Sequence, residues 1–149
     1  MKILSRVLFR LPIHLYKIGL GPLLGPRFLM LGHTGRVSGL TRHAVIEVVE
    51  RDRDLGSYTV CSGFGAGSQW YRNITENPDV AIQVGWKVMP ALAVPLPPEE
   101  GAEIMRDYAA KHPTVARWLM RMIGVEADGT PEGYRRAGLA LPFVKLVVK

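Results

Sequence analysis

Met30-Leu31-Gly32-His33-Thr34-Gly35-Arg36-Val37-Ser38-Gly39-Leu40-Thr41-Arg42-His43-Ala44-Val45-Ile46-Glu47 is the stretch on which the fold turns. Apolar residues lead into the tight, glycine-bearing turn Thr34 to Gly39, and a second extended run leaves it. In that run Thr41, His43, Val45, Glu47 and Val49 alternate with Arg42, Ala44, Ile46, Val48 and Glu50. Alternation of this kind is the period of a strand, so the sequence predicts strands over 27–33 and 41–51, joined as a hairpin. Arg42 and Glu47 then start on opposite faces. Glycine lets backbone N–H groups face a ligand with no Cβ in the way. Arg36 and Arg42 carry planar forks that pair with phosphate or carboxylate at two points. A bare turn needs the glycines but not both arginines, which makes this turn a candidate anion receptor.

Working outward, 51–56 is a charged hairpin turn and 57–62 a third strand. The small-residue loop Gly63-Phe64-Gly65-Ala66-Gly67-Ser68 runs into a short helix over 69–76, for which Ser68 is the expected cap. Free N–H groups and the helix dipole favour an anion at such a start. Asn77-Pro78 stops the helix. Strands four and five are expected over 79–85 and 87–96. Pro97-Pro98-Glu99-Glu100 opens a helix that runs to about Lys111. Another follows over 114–123, with Val115, Leu119 and Met122 on one side. Residues 124–133 read as a loop, and 139–148 as a last strand, interrupted by Pro142 and therefore suited to an edge. Strands with intercalated helices and no βαβ alternation argue for an antiparallel α+β or barrel architecture.

Before the hairpin, Leu4, Val7, Leu8, Leu11, Leu15 and Ile18 recur at helical spacing, with Lys2, Arg6, Arg10 and His14 as the opposite stripe. Residues 2–19 are expected to form a basic amphipathic helix, kinked or divided by Pro12. It is too short and too charged to span a bilayer. It could lie on an anionic membrane surface, or pack on its own domain or a dimer partner. Residues 19–26 read as a loop. The organisation expected is thus an N-terminal helix and loop, 1–26, before one domain, 27–149.

A chain of 149 residues can bury roughly 70% of its unfolded surface, enough for a core without metal or disulfide. The single cysteine, Cys61, rules out an internal disulfide and suggests a reducing compartment. Its strand neighbours make it a packing thiol. Without a signal peptide, the expected location is cytoplasmic, with peripheral contact at the inner face of the cell membrane as an option. The net charge of +6 favours an anionic partner. No nucleic-acid motif accompanies it. There is no Gly-x₄-Gly-Lys-Ser/Thr, and the second loop lacks the order and βαβ setting of a dinucleotide fold. His14, His33, His43 and His112 have no metal-ligand spacing, and no serine sits in a nucleophile elbow.

Taken in order, Thr34 to Gly39, Ser62 to Ser68, Trp70-Tyr71-Arg72-Asn73-Ile74 and Asn77-Pro78-Asp79-Val80 resemble the deazaflavin-dependent nitroreductase family, split-barrel proteins of actinobacteria that use cofactor F420. The resemblance covers roughly residues 28 to 120. It implies a six-stranded, mostly antiparallel split β-barrel with flanking helices. It also implies a cofactor phosphate near Arg36, Val37, Ser38 and Arg42, and a deazaflavin ring along His43, Ala44, Val45, Ser62 and Gly63. The second loop, with Phe64, Gly65 and Ser68, and the helix start at Gln69 and Trp70 would close the other edge. The chain departs from the family in a shorter second loop, and in Phe64 standing near a basic position. His112, Val115 and Trp118 stand where other members have tyrosines. The reading that follows is an F420-dependent oxidoreductase passing a hydride to an electron-poor unsaturated, nitro or quinone-like small molecule. Catalytic candidates are His43, Tyr108 and His112. Alternatives are FMN in the same groove, or a non-enzymatic carrier of F420 or a lipid-like ligand. A homodimer is a further expectation for split barrels, and the N-terminal helix together with residues 108 to 122 is expected to shape the pocket mouth.

Overall fold

The central hairpin forms as β1, Phe28–Thr34, antiparallel to β2, Thr41–Asp52. Leu29 stands opposite Ile46, Leu31 opposite Ala44 and His33 opposite Arg42, so one face carries the buried Leu29, Leu31 and His33. The computed structural model describes residues 28–63, 65–124 and 128–149. The expected N-terminal helix and loop, the segment 1–26 and Phe64 lie outside the described residues.

The chain continues through β3, Ser57–Cys61; α1, Gln69–Glu76; β4, Asp79–Val84; and β5, Lys87–Pro95. It then forms α2, Pro98–Lys111; α3, Pro113–Ile123; α4, Pro131–Ala140; and β6, Phe143–Val148. The six strands close into a barrel in the order β1-β2-β3-β6-β5-β4, all pairs antiparallel, with β4 returning to β1. This is the predicted α+β split barrel.

Two cores hold it together. Alternate residues of the strands fill the barrel, among them the fully buried Leu29, Leu31, Val60, Ile82, Val144 and Leu146, with Ile74 of α1 joining them. A second core lies between the barrel wall and α2, α3 and α4. There Met105, Tyr108, Met120, Tyr134, Leu141 and Phe143 meet, with Cys61 and Val49 against them. Burial on both faces explains why Ser57, Tyr58, Thr59 and Val60 of β3 are all buried. It also pushes the Cys61 thiol up to about 12, so it remains a protonated packing group, as its position suggests. Of the face expected on α3, Val115 packs against this core.

Two expectations change at the C-terminal end. Residues 131–140, in part assigned to a loop, are the helix α4. Thr130 caps it by accepting the Gly133 N–H at 3.0 Å, with Pro131 and Glu132 in its first turn. The last strand starts after Pro142 and lies between β3 and β5, so it is a closing strand and not an edge. Proline sits just before it, where no ladder N–H is required of it.

Candidate functional site

An open cavity of 680 Å³ lies at one end of the barrel, between the Thr34–Gly39 turn, the first residues of β2 and one face of α1. The turn contributes Gly35, Arg36, Val37 and Ser38. The hairpin contributes His33, Arg42, His43 and Ala44, and α1 contributes Gln69, Trp70 and Asn73.

The turn is built by short backbone bonds. The Gly35 N–H donates to Leu40 O and the Gly39 N–H to Gly35 O, both at 2.8 Å. Gly39 has φ +70°, a left-handed conformation that suits glycine. A Cβ on Gly35 would stand 2.5 Å from Ser38 Oγ, so a side chain there would displace the Ser38 hydroxyl, while the backbone of the turn itself calls for glycine at 39. Ser38 Oγ also accepts the Leu40 N–H at 3.2 Å.

Asn73 ties this turn to α1. Its Oδ1 accepts from the Arg36 backbone N–H at 3.1 Å and from Arg36 Nη1 at 2.8 Å. Arg36 Nη1 also donates to Gln69 Oε1 at 2.9 Å. Gln69 and Asn73 are four residues apart on one helix face. The other end of the Asn73 amide, Nδ2, lies 3.0 Å from His33 Nδ1. With Oδ1 occupied by two donors, Nδ2 must donate, so His33 Nδ1 accepts and its proton resides on Nε2. The His33 pKa is lowered to about 4, chiefly by burial and then by His43 and Arg42, which keeps this ring neutral at pH 7. Among the described residues no carboxylate pairs with Arg36 or Arg42. The two guanidinium charges of the cavity therefore have no acidic partner among the described residues.

The second loop is organised differently from expectation. Ser62 Oγ donates to Gly65 O at 2.7 Å, and the Ser68 and Ser62 hydroxyls are 2.7 Å apart. Since Ser62 spends its proton on Gly65, Ser68 donates to Ser62. Ser68 precedes α1 in extended conformation but makes no side-chain cap bond to it, a correction to its expected capping role. Ser62, Gly63, Gly65, Ser68 and Val45 do not line the cavity, whereas Arg36, Val37, Ser38, Arg42, His43, Ala44, Gln69 and Trp70 do.

Of the catalytic candidates only His43 reaches the cavity, exposed on β2. Tyr108 is buried in the second core and donates to Glu47 Oε1 at 2.7 Å. His112 sits at the junction of α2 and α3, its ring 5.2 Å from that of Tyr108. Trp118 is exposed. Tyr108, Ala109, Val115, Ala116 and Met120 thus belong to the second core, and none of the described residues of this segment lines the cavity. Asn73, Gly35 and His33 line the cavity but are not among the expected cofactor-binding residues. The signal for Asn73 was its spacing of four from Gln69, and for His33 its in-phase position with Leu29 and Leu31.

A protein-family model described as F420H(2)-dependent quinone reductase matches residues 16–126. Among solved structures, one described as an F420-H2 dependent reductase is 23% identical, with a TM-score of 0.53, over 80% of this chain and 93% of that one. A conserved hypothetical protein from Mycobacterium tuberculosis is 15% identical, with a TM-score of 0.59, over 90% and 79%. A FAD-binding protein from Mesorhizobium loti is 16% identical, with a TM-score of 0.52, over 92% and 88%. At these identities the structural likeness bears on the fold. No curated protein matches. Among the described residues no helix is long and apolar enough to cross a membrane.

Proposed function

The chain belongs to the F420H2-dependent quinone reductase family, and from that premise we propose that the cavity between the Thr34–Gly39 turn and α1 is where this F420-dependent oxidoreductase holds its cofactor. The substrate class we assign is an electron-poor quinone-like, nitro or unsaturated small molecule. The observation that carries the site is the pair Arg36 and Arg42, without carboxylate partners among the described residues, on the wall of one open cavity. A phosphorylated cofactor matches that donor set, and a cavity of 680 Å³ falls in the range of small-molecule sites, about 300–1,000 Å³.

When bound, the reduced deazaflavin supplies a hydride; the protein's part is to bind, orient and shield. Arg36 and Arg42 hold the phosphate, each through charge-assisted donors. Trp70, half-buried against the barrel core, would offer an apolar wall to the cofactor. His43, exposed on the cavity wall, would be the group to donate a hydrogen bond to the cofactor or to the accepting substrate.

The test is fluorescence titration with F420, run in parallel with FMN. Each charge-assisted hydrogen bond contributes about 1.5–3 kcal/mol, so an Arg36→Ala, Arg42→Ala double variant is expected to weaken F420 binding by about 100-fold or more. Unchanged affinity, or preference for FMN in the wild-type chain, would overturn the assignment. Turnover of F420H2 with a simple benzoquinone against a nitroaromatic then separates the substrate classes.

A further inference from the structure

We infer that His33 and Asn73 are positioning residues, which aim the Arg36 guanidinium into the cavity through a hydrogen-bond relay of fixed polarity. The inference rests on the assignment of Arg36 to the cofactor phosphate and adds two residues that need not touch the cofactor to act.

An arginine on a glycine turn has many rotamers, and each held rotamer carries an entropic cost. Here the choice is made in advance. Asn73 Oδ1 receives both the backbone and the side chain of Arg36, which fixes the turn and the guanidinium against one atom. An asparagine amide could rotate and present its NH₂ to Arg36 instead, setting donor against donor. The two Arg36 donors select the orientation, and His33 completes it. Its Nδ1, 3.0 Å from Asn73 Nδ2, is an acceptor, so only one orientation of the amide satisfies both neighbours. Asn73 and His33 are each 4% exposed, so water cannot readily substitute for a lost partner. Neutral amide oxygens, from Asn73 and Gln69, hold Arg36 without neutralising it. Its charge stays available to an anion, which a carboxylate at either position would compete for.

The relay requires an unprotonated Nδ1. The charged and titratable groups around His33 are His43 and Arg42 of β2, with Arg36 beyond the amide. From α1 it meets the neutral Asn73, and β4 pairs with β1 at this end through Ala81 and Ile82. Among the described residues the charges that act on this ring oppose a second proton on it.

Three substitutions separate positioning from mere packing. Asparagine at position 33 can place an acceptor near that of Nδ1, whereas leucine cannot. F420 affinity is expected to stay within about 3-fold of wild type in His33→Asn and to fall at least 10-fold in His33→Leu. Asn73→Asp keeps the acceptor for Arg36 but adds a competing charge and faces His33 Nδ1 with a second acceptor. Its F420 affinity should be weaker than wild type at pH 8 and recover as pH falls to 6, because the new carboxylate raises the pKa of the adjoining His33 ring, whose proton then offsets it. The wild-type dissociation constant should be flat over that range. Equal losses in His33→Asn and His33→Leu, or an Asn73→Asp profile parallel to wild type, would overturn the relay. If Arg36→Ala alone leaves affinity unchanged, the phosphate assignment has failed, which is a separate outcome. Should any variant fail to fold, ¹⁵N spectra of the wild-type histidine rings decide the point without ligand. A bare Nδ1 and protonated Nε2 on His33 from pH 8 to 6 are expected; the opposite tautomer refutes the proposal.

Discussion

At the scale of single residues, His33 links the site to stability. Its pKa is about 4 in the folded chain against an ordinary value of 6.5, so between those values the unfolded chain binds the extra proton and the folded chain does not. Stability from this residue is complete above pH 6.5 and is lost as pH falls towards 4. Full protonation linkage for a shift of that size is on the order of 3 kcal/mol, a substantial part of a typical folding free energy of about 5–15 kcal/mol. Urea midpoints measured at pH 7.5 and pH 4.5 should fall by an amount that His33→Asn largely removes. An unaltered difference in that variant would assign the pH dependence to other groups. Residue chemistry of this kind was only half legible beforehand. Arg36, Ser38 and Arg42 announced themselves because glycines and arginines together are costly to explain as a turn alone. Asn73 did not, because a buried amide acquires meaning only when the fold brings residues 33 and 36 to it. Tyr108 and His112 erred in the other direction: their side-chain chemistry suited a proton donor, but α2 turns Tyr108 into the second core, where its hydroxyl is taken by Glu47.

At the scale of elements, the packing of α4 on α2 depends on glycine. A Cβ on Gly138 would meet Ala102 Cα and Gly101 O, both at 2.7 Å, and a Cβ on Gly101 would meet the Phe143 ring at 2.5 Å. The first of these obstacles is backbone, which cannot swing aside. Gly138→Ala should therefore destabilise the fold by about 1–3 kcal/mol, as overpacking does. Gly67→Ala, with nothing within 4 Å, should leave thermal stability nearly unchanged. Thermal melts of the two variants, with F420 absent, read the contrast directly; a Gly138→Ala protein melting with wild type would mean the helices can separate at no cost. The same close approach hid α4 from the sequence. Its buried face is Gly133, Tyr134, Ala137 and Gly138, residues chosen for smallness, so the apolar period that reveals ordinary helices is nearly silent. What remained was the start signal Thr130-Pro131-Glu132. By contrast α1 was legible to its ends, since a glycine loop precedes it and Asn77-Pro78 follows. The predicted cap at Ser68 was wrong because a nearer partner, the Ser62 hydroxyl, claims its side chain.

At the scale of the whole molecule, closure of the barrel rests on its last strand. The hairpins β1-β2 and β4-β5 are local in sequence and were read from alternation and turns. The place of β6 was not, because it pairs with two strands far away in the chain, β3 and β5. Pro142 suggested an edge, yet the proline only marks where the strand begins. Six residues then join both halves of the sheet and insert Phe143, Val144 and Leu146, each at most 2% exposed, into the two cores. Losing one large buried side chain typically costs about 2–5 kcal/mol, so losing all three approaches the entire stability of a domain. It would also leave β3 and β5 as open edges with unpaired backbone groups. A chain ending at Pro142 should therefore fail to show a cooperative thermal transition and should lose F420 binding, although every cavity residue is still present. The cavity lies on β1, β2 and α1, none of which touches β6 directly through strand pairing. Retained binding in the truncated chain would show that the hairpin and α1 form the site on their own, and that barrel closure serves stability without holding Arg36 and Arg42 in place.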